Sequence, residues 1–482
     1  MLMQYETVIG LEVHAGLSTN SKIFCGCSTK FGASPNSQTC PVCLGLPGVL
    51  PVLNEAAVED AIKVALALNC QVSPYSKFDR KNYYYPDLPK NYQISQNYLP
   101  VAFKGYLDVP LEKGTKRVGI DNIHLEEDAG KNIHGGGADA GESLVDLNRA
   151  GIPLIEIVTQ PDMRSLEEVE KFMISLRDIL LYLGVCDCCM EEGSLRFEAN
   201  ISLRLEGESR LGNRVEMKNL NSFKMVSKAL QHEMRRQGEV LKEGGHIKAE
   251  TRLWDEEKEV TSTMRSKEEA HDYRYFPEPD LSPLIIKDNW IDRVRKAMPE
   301  LPRERKLRFS REYKIPEYDA QVLIADKYLA DFYEDTVKLF PEAKMVSNWV
   351  MGELLRGLKE RNINIEECLL PATHFANMLN MIKKGAISGR IAKDVFAEML
   401  DTGKEAEEIV KEKGWSQMSD EDEVSRIADE IIEKNPQSVR DFQGGKEKAL
   451  GFFIGQVMKV TRGKANPQLV NKLLKEKLGK LK

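Results

Sequence analysis

The sequence predicts an α+β protein: a mixed or antiparallel sheet in its N-terminal part, then an all-α helical domain, then a small α-helical tail. Three observations carry this. Short runs rich in β-branched residues recur before Pro279 and are interrupted by capped helices. Beyond Pro279 the apolar spacing is close to helical, broken by prolines and glycines. After Gly403 an acidic, weakly apolar stretch leads into short amphipathic helices.

The strand-like runs are TVIGLEVHAGL (7–17), RVGIDNIHLEE (117–127), IPLIEIVT (152–159) and RFEANISLRLE (196–206). Asn54 is the cap expected for a helix from Glu55 to Leu68. Ser165 and Glu168 have the spacing of a capping box, and Gly184 suits the stop of that helix. Ser222 opens a third helix, from Phe223 to about Lys242. DYRYFPEPDLSPLI is a proline-rich boundary, and Pro299, Pro302, Pro316, Pro341, Pro371 and Gly385 punctuate the helices that follow. Asn466 and Pro467 start a last helix that Gly479 is expected to stop.

Composition narrows the function classes. With 42% hydrophobic and 30% charged residues, the chain reads as an ordinary soluble globular protein. It has no apolar run long enough to span a bilayer and no secretory n- and h-region, so a cytoplasmic address is expected. Nine cysteines then favour metal binding over disulfides. A net charge of -7 argues against uniform coating by nucleic acid. The charge is nonetheless uneven: 12 acids and 6 Lys/Arg in 401–440 give -6, whereas 3 acids and 10 Lys/Arg in 441–482 give +7. That basic end is a local footprint for phosphate, or else a solvated helix face.

Three constellations carry chemistry. In KFDRKNYYYPDLPKNYQISQ (77–96), Lys77, Arg80, Lys81 and Lys90 alternate with Tyr83, Tyr84, Tyr85 and Tyr92, and Pro86 and Pro89 stiffen the turn. Such a loop holds amines and phenols toward a charged substrate, or packs with snorkelling cations. Cys25-x-Cys27-x12-Cys40-x2-Cys43 offers two close thiol pairs, the pattern of a closed and therefore structural tetrahedral Zn²⁺ site; the alternative is four reduced, unliganded cysteines. Cys186, Cys188 and Cys189 lack a fourth ligand nearby and read as reduced thiols. Glu12 and His14 share one side of a strand, Glu126, Glu127 and Asp128 end another, and Glu156 lies in a third. Oxygen ligands with one imidazole suit Mg²⁺ or Mn²⁺; the alternative is that these acids pair with Lys or Arg or sit on the wet face of the sheet. HGGG at 134–137 has no G-x-S-x-G elbow to accompany it, and no phosphate-binding G-x-x-x-x-G-K-[ST] loop occurs. Nor is there a Cys–His glutaminase or a Ser/Gly-rich amidase core, so the chain carries no motif for releasing ammonia from glutamine by itself.

Together VIGLEVHAGL, KFDRKNYYYPDLPKNYQISQ, HLEEDAGK, SLVDLNRAGIPLIEIV, MEEGSLRFEANISLR, MKNLNSF and DYRYFPEPDL resemble the B subunit of the tRNA-dependent Asp/Glu amidotransferases (GatB). GFFIGQVMKVTRGKANPQLVNKLL is similar to the YqeY-related tail of the same family. The resemblance implies a cradle domain over 1–293, a helical domain over 294–406 and a tRNA-binding tail over 407–482. It implies a heterotrimer with an amidase subunit (GatA) and a small subunit (GatC). It also implies that ATP phosphorylates the side-chain carboxylate of Glu-tRNA(Gln) or Asp-tRNA(Asn), which channelled ammonia then amidates. By matching position, His14, Glu127 and Glu156 are expected to ligate Mg²⁺ (or Mn²⁺), with Glu12 as fourth ligand or neighbouring base. Lys81 and Lys90 are expected at the end of the ammonia passage, and Glu192, Ser194 and Arg196 near the same cavity. Cys25, Cys27, Cys40 and Cys43 match a structural Zn²⁺ site. Lys446, Lys459, Arg462 and Lys464 are the expected tRNA contacts. Two rival readings are a stand-alone amide ligase acting on a free amino acid, and a non-catalytic tRNA-binding scaffold.

Overall fold

In the computed structural model, described over residues 5–134, 142–266, 272–415, 421–444, 446, 448–461, 465 and 467–480, the chain forms two compact units, Met1–Leu301 and Pro302–Lys482. The first is built on a nine-stranded sheet. Its strands are β1 (Tyr5–Gly16), β2 (Gln71–Val72), β3 (Ala102–Pro110), β4 (Thr115–Glu127), β5 (Pro153–Thr159), β6 (Leu195–Leu205), β7 (Val215–Leu220), β8 (Glu250–Asp255) and β9 (Val260–Ser266). Their order across the sheet is β9-β8-β7-β6-β1-β5-β4-β3-β2, with β1 in the middle. Every pairing is antiparallel except β7 with β8, which run parallel. The α+β expectation holds, and all four strand-like runs are strands within two residues of the expected limits.

Alternation along β1 determines the layering. Ile9, Leu11, Val13 and Ala15 are buried on one face, where they join a core with helices α1 (Glu55–Ala67), α2 (Leu166–Leu183) and α3 (Phe223–Lys242). Ile62, Phe172, Leu176 and Leu230 are among the helical residues that fill it. The caps are those the sequence called for. Asn54 accepts from Ala56 N at 3.0 Å, Ser165 from Glu168 N at 3.2 Å and Ser222 from Met225 N at 3.1 Å. Gly184 ends α2 at φ 67, a conformation that suits glycine. Helix α4 (Asp288–Ala297) also belongs here, because Val294, Met298 and Leu301 pack on this core. A three-stranded sheet of Asp79–Asn82, Tyr92–Ser95 and Phe276–Pro277 carries the tyrosine-rich segment.

The second unit is helical throughout its described residues. One core runs from Phe309 to Val410 and a smaller one from Val424 to Leu478. The last helix, Pro467–Lys480, continues through Gly479 instead of stopping there. One missing Cβ in a final turn costs only about 1 kcal/mol, less than packing of Leu473, Leu474 and Leu478 supplies. The larger core holds a polar knot. Glu334 receives Arg305 at 2.5 Å, Arg308 at 2.7 Å and the Tyr313 hydroxyl at 2.8 Å. Burial opposes its charge, but these donors prevail and hold its pKa down to about 2.

Glu334→Gln should therefore destabilise this unit by about 2 kcal/mol, less than a fully buried pair because the cluster is partly wet. The pKa is depressed, so the stabilisation is complete above the unfolded value of about 4.3 and is lost as pH falls toward 2. Urea melts at pH 7 and pH 3 should show the gap between wild type and variant shrinking at the lower pH.

Candidate active site and metal centres

The face of the sheet opposite the helices carries charge. On β1 it presents Gly10, Glu12, His14 and Gly16. Register then sets the neighbours: His14 lies opposite Glu156 on β5 and Arg196 on β6, and Glu156 lies opposite His124 on β4. Four strands thus contribute one row, Arg196–His14–Glu156–His124. Glu12 and Glu198 stand opposite each other two residues along.

Within the first row His14 Nε2 is 3.3 Å from Glu156 and 3.8 Å from Glu126, and His124 Nε2 is 3.1 Å from Glu156 and 3.8 Å from Glu126. Ser95 Oγ donates to Glu126 at 3.1 Å. Burial disfavours charge on the imidazoles, yet the two carboxylates overcome it. They raise the pKa of His14 and bring that of His124 up to about 10. Glu156 is correspondingly held well below the usual carboxylate range, against the cost of its burial, by His124 and His14. One donor atom each of His14, Glu126 and Glu156 lies within 4.8 Å of the others. One nitrogen and two carboxylates converging this closely fit a hard divalent cation.

The three consecutive acids at the end of β4 have three different partners. Glu126 faces the histidines. Glu127 turns the other way, accepts from Ile94 N at 2.9 Å and pairs with Lys90, at 2.6 Å to one oxygen and closer to the other. Both members of that pair are buried, with side chains 8% and 4% exposed. Asp128 takes Arg196 at 3.0 Å and Arg149 at 3.5 Å. The structure therefore brings His14 and Glu156 together as expected, with Glu126 and not Glu127 as their companion. Lys81 stands over the Tyr273 ring at 5.1 Å. Burial works against its charge, and Glu126, with the nearby phenols and Glu156, keeps its pKa raised all the same.

Glu12 belongs to a neighbouring cluster with Glu198 and Glu216, and Asn200 donates to it at 2.9 Å. Burial, together with the charges of Glu156 and Glu198, raises its pKa. Lys218 offsets that crowding at 2.6 Å from Glu198 and 3.2 Å from Glu216. Ser194 bonds to Asp187 and, at 3.0 Å, to the Cys189 carbonyl, while its own carbonyl receives Gly16 N at 2.7 Å. Ser194 thus ties the end of β1 to the turn before β6. Glu192 is exposed on that turn. Glu198, Glu216 and His124 are additional residues of this face; only the alternation of their strands points to them in the sequence.

The thiols of Cys25, Cys27, Cys40 and Cys43 also lie within 4.8 Å of one another. Cys40 and Cys43 sulfurs are 3.9 Å apart, close to the roughly 3.8 Å edge of a tetrahedron with ~2.3 Å metal–sulfur bonds. Cys43 is held toward the thiolate form by the Cys25 hydrogen bond, the Cys40 backbone and the buried Lys22 amine, 3.7 Å away. The donor set fits Zn²⁺. Cys186 and Cys188 are buried. In the second unit Lys446 and Lys459 are exposed, and Lys446 pairs with Asp441 at 3.0 Å. Arg462 and Lys464 lie outside the described residues.

Comparison with known proteins gives a consistent family. The GatB/GatE catalytic domain matches residues 7–292, and a second GatB domain, the YqeY-related one, matches 331–478. The B subunit of the aspartyl/glutamyl-tRNA(Asn/Gln) amidotransferase of Carboxydothermus hydrogenoformans is 56% identical over 481 residues, covering 100% of both chains. The proteins of the same name from Caldanaerobacter subterraneus subsp. tengcongensis and Geobacter sp. are each 55% identical, covering 99% of this chain and 100% of theirs. Among the described residues no helix is long and apolar enough to cross a membrane.

The buried Lys90–Glu127 pair makes a direct prediction about stability. Lys90→Met strands a buried carboxylate and should cost about 3 kcal/mol. Adding Glu127→Gln should recover at least half of that loss in chemical denaturation. Equal destabilisation of the single and double variants would mean that the pair is not balanced as its geometry says.

Proposed function

The chain belongs to the family of aspartyl/glutamyl-tRNA(Asn/Gln) amidotransferase B subunits, and from that premise we propose that its charged sheet face activates the side-chain carboxylate of a misacylated tRNA. The observation that carries the reading is the convergence of His14, Glu126 and Glu156 beside Lys81 and the Lys90–Glu127 pair. A carboxylate is a poor electrophile because ammonia cannot expel oxide. Its oxygen attacks the γ-phosphorus of ATP and ADP departs. Ammonia then adds to the carbonyl carbon, phosphate leaves with the C–O bond electrons, and the added nitrogen loses a proton to give the amide.

His14, Glu126 and Glu156 would hold Mg²⁺ or Mn²⁺, which when bound supplies charge neutralisation to the transferred phosphoryl. Lys81, kept charged in a buried setting, orients the substrate carboxylate. Lys90, held on Glu127, borders the route of ammonia and shields it from bulk water. Ammonia comes from an amidase partner, since this chain carries no glutaminase motif, and a third small subunit completes the complex. The exposed Lys446 and Lys459, with Arg462 and Lys464, contact the tRNA body, an interaction that weakens with salt.

The reconstituted complex should form amide from ATP, glutamine and Glu-tRNA(Gln) or Asp-tRNA(Asn), and none from free Glu or Asp. Amidation of the free amino acids would point to the stand-alone ligase. Glu126→Gln and Glu156→Gln should abolish amidation, weaken Mn²⁺ binding at least about tenfold and spare tRNA binding. Glu127→Gln should leave Mn²⁺ affinity within about twofold. Unchanged amidation in all three would favour a scaffold role.

The four-cysteine centre is proposed to hold structural Zn²⁺. Purified protein should contain about one Zn²⁺ per chain, and Cys40→Ser should lose it. Normal zinc content in that variant would refute the thiolate site.

A further inference from the structure

The cysteine turn and the Lys90–Glu127 pair are neighbours. Both line one cavity of about 100 Å³, together with Phe24, Tyr92 and Gly45. Residues 40–46 form a tight turn, with Leu44 N bonded to the Cys40 carbonyl at 3.1 Å, Gly45 N to Val42 at 3.0 Å and Leu46 N to Pro41 at 3.0 Å. Gly45 sits at φ +67, and a Cβ there would overlap Lys90 Cγ and come 3.2 Å from its Cβ and Cδ. The turn therefore lies directly on the Lys90 stem. The far end of that side chain is framed by Tyr92, 5.4 Å from Nζ, and Phe24, 5.9 Å away. A lysine stem normally samples many rotamers, and ordering it costs up to ~2 kcal/mol. Here one wall of its channel is backbone, and that backbone is anchored by Cys40 and by Cys43, the latter two residues before Gly45.

We propose that the cysteine turn is the backstop that keeps Lys90 on Glu127, with Gly45 as the positioning residue, so that metal occupancy of the thiolate centre governs where the Lys90 amine points. The metal half of this rests on the four-thiolate reading; the contact half does not. A centre remote from the chemistry in the sequence thereby acts on the passage beside it.

Gly48 provides the control, since it has φ +90 but nothing within 4 Å of where a Cβ would stand, so alanine there is strained without touching Lys90. Full-length protein would be treated with an acetylating succinimidyl ester, and modification of Lys90 followed by mass spectrometry against the exposed Lys113. Gly45→Ala should speed Lys90 acetylation about tenfold and Gly48→Ala less than about twofold. Stripping metal with a chelator should speed it in wild type, and added Zn²⁺ should restore protection. Should Gly45→Ala fold poorly, the Lys90→Ala background gives the answer, because it removes the Cγ overlap and leaves only the backbone strain of a positive φ, so the glycine substitution should then cost no more in Tm than Gly48→Ala does. Equal Lys90 acetylation in Gly45→Ala and Gly48→Ala, or equal Tm losses in both backgrounds, overturns the proposal. Protection that survives metal removal overturns its metal half. A protein that never binds zinc refutes the thiolate reading while leaving the Gly45 contact to stand or fall on its own variants.

Discussion

Everything on the working face follows from crowding carboxylates on one side of a sheet whose other side is closed by helices. Glu12, Glu126, Glu156, Glu198 and Glu216 cannot all be charged and half-dry without compensation. The protein distributes that compensation among His14, His124, Lys218 and Asn200. Where imidazoles serve, the compensation is displaceable, because an imidazole can give up its proton and become a ligand. Where Lys218 serves, it is fixed. This difference separates the His14 cluster from the Glu12 cluster, although the two adjoin on the same strand.

Much of this was legible in the sequence. The two-residue alternation of VIGLEVHAGL and RFEANISLRLE defined both the strands and the polar face, and Asn54, Ser165 and Ser222 marked the helix starts. What a single strand cannot reveal is which partner stands opposite. His124, Glu198 and Glu216 enter the site through registers set by strands far away in the chain. The Glu126–Glu127–Asp128 run is the sharpest instance. One position along a strand reverses the face, so adjacent acids of equal chemistry go to a histidine pair, a lysine and an arginine. Family likeness pointed to Glu127, whereas the pleat delivers Glu126 to the histidines.

The tyrosine-rich segment shows the same limit. Its cations and phenols allowed either a binding loop or a packed one, and they divide: Lys81 lies in a short sheet against Tyr273, while Lys90 leaves on the turn and is buried with Glu127. The thiol spacing announced a metal centre without hinting that its backbone would press on that lysine. Such adjacency comes from tertiary packing, to which spacing rules are blind.

The central place of β1 has a consequence for biosynthesis. Its neighbours β5 and β6 begin at Pro153 and Leu195, well over a hundred residues later. At ~5–20 residues per second, this strand waits on the order of 7–30 seconds before its first partner, β5, is made, and on the order of 10–40 seconds before β6 is. Nascent chains of this protein should thus be clients of holding chaperones, and slow codons placed before residue 205 would lengthen their exposure to aggregation.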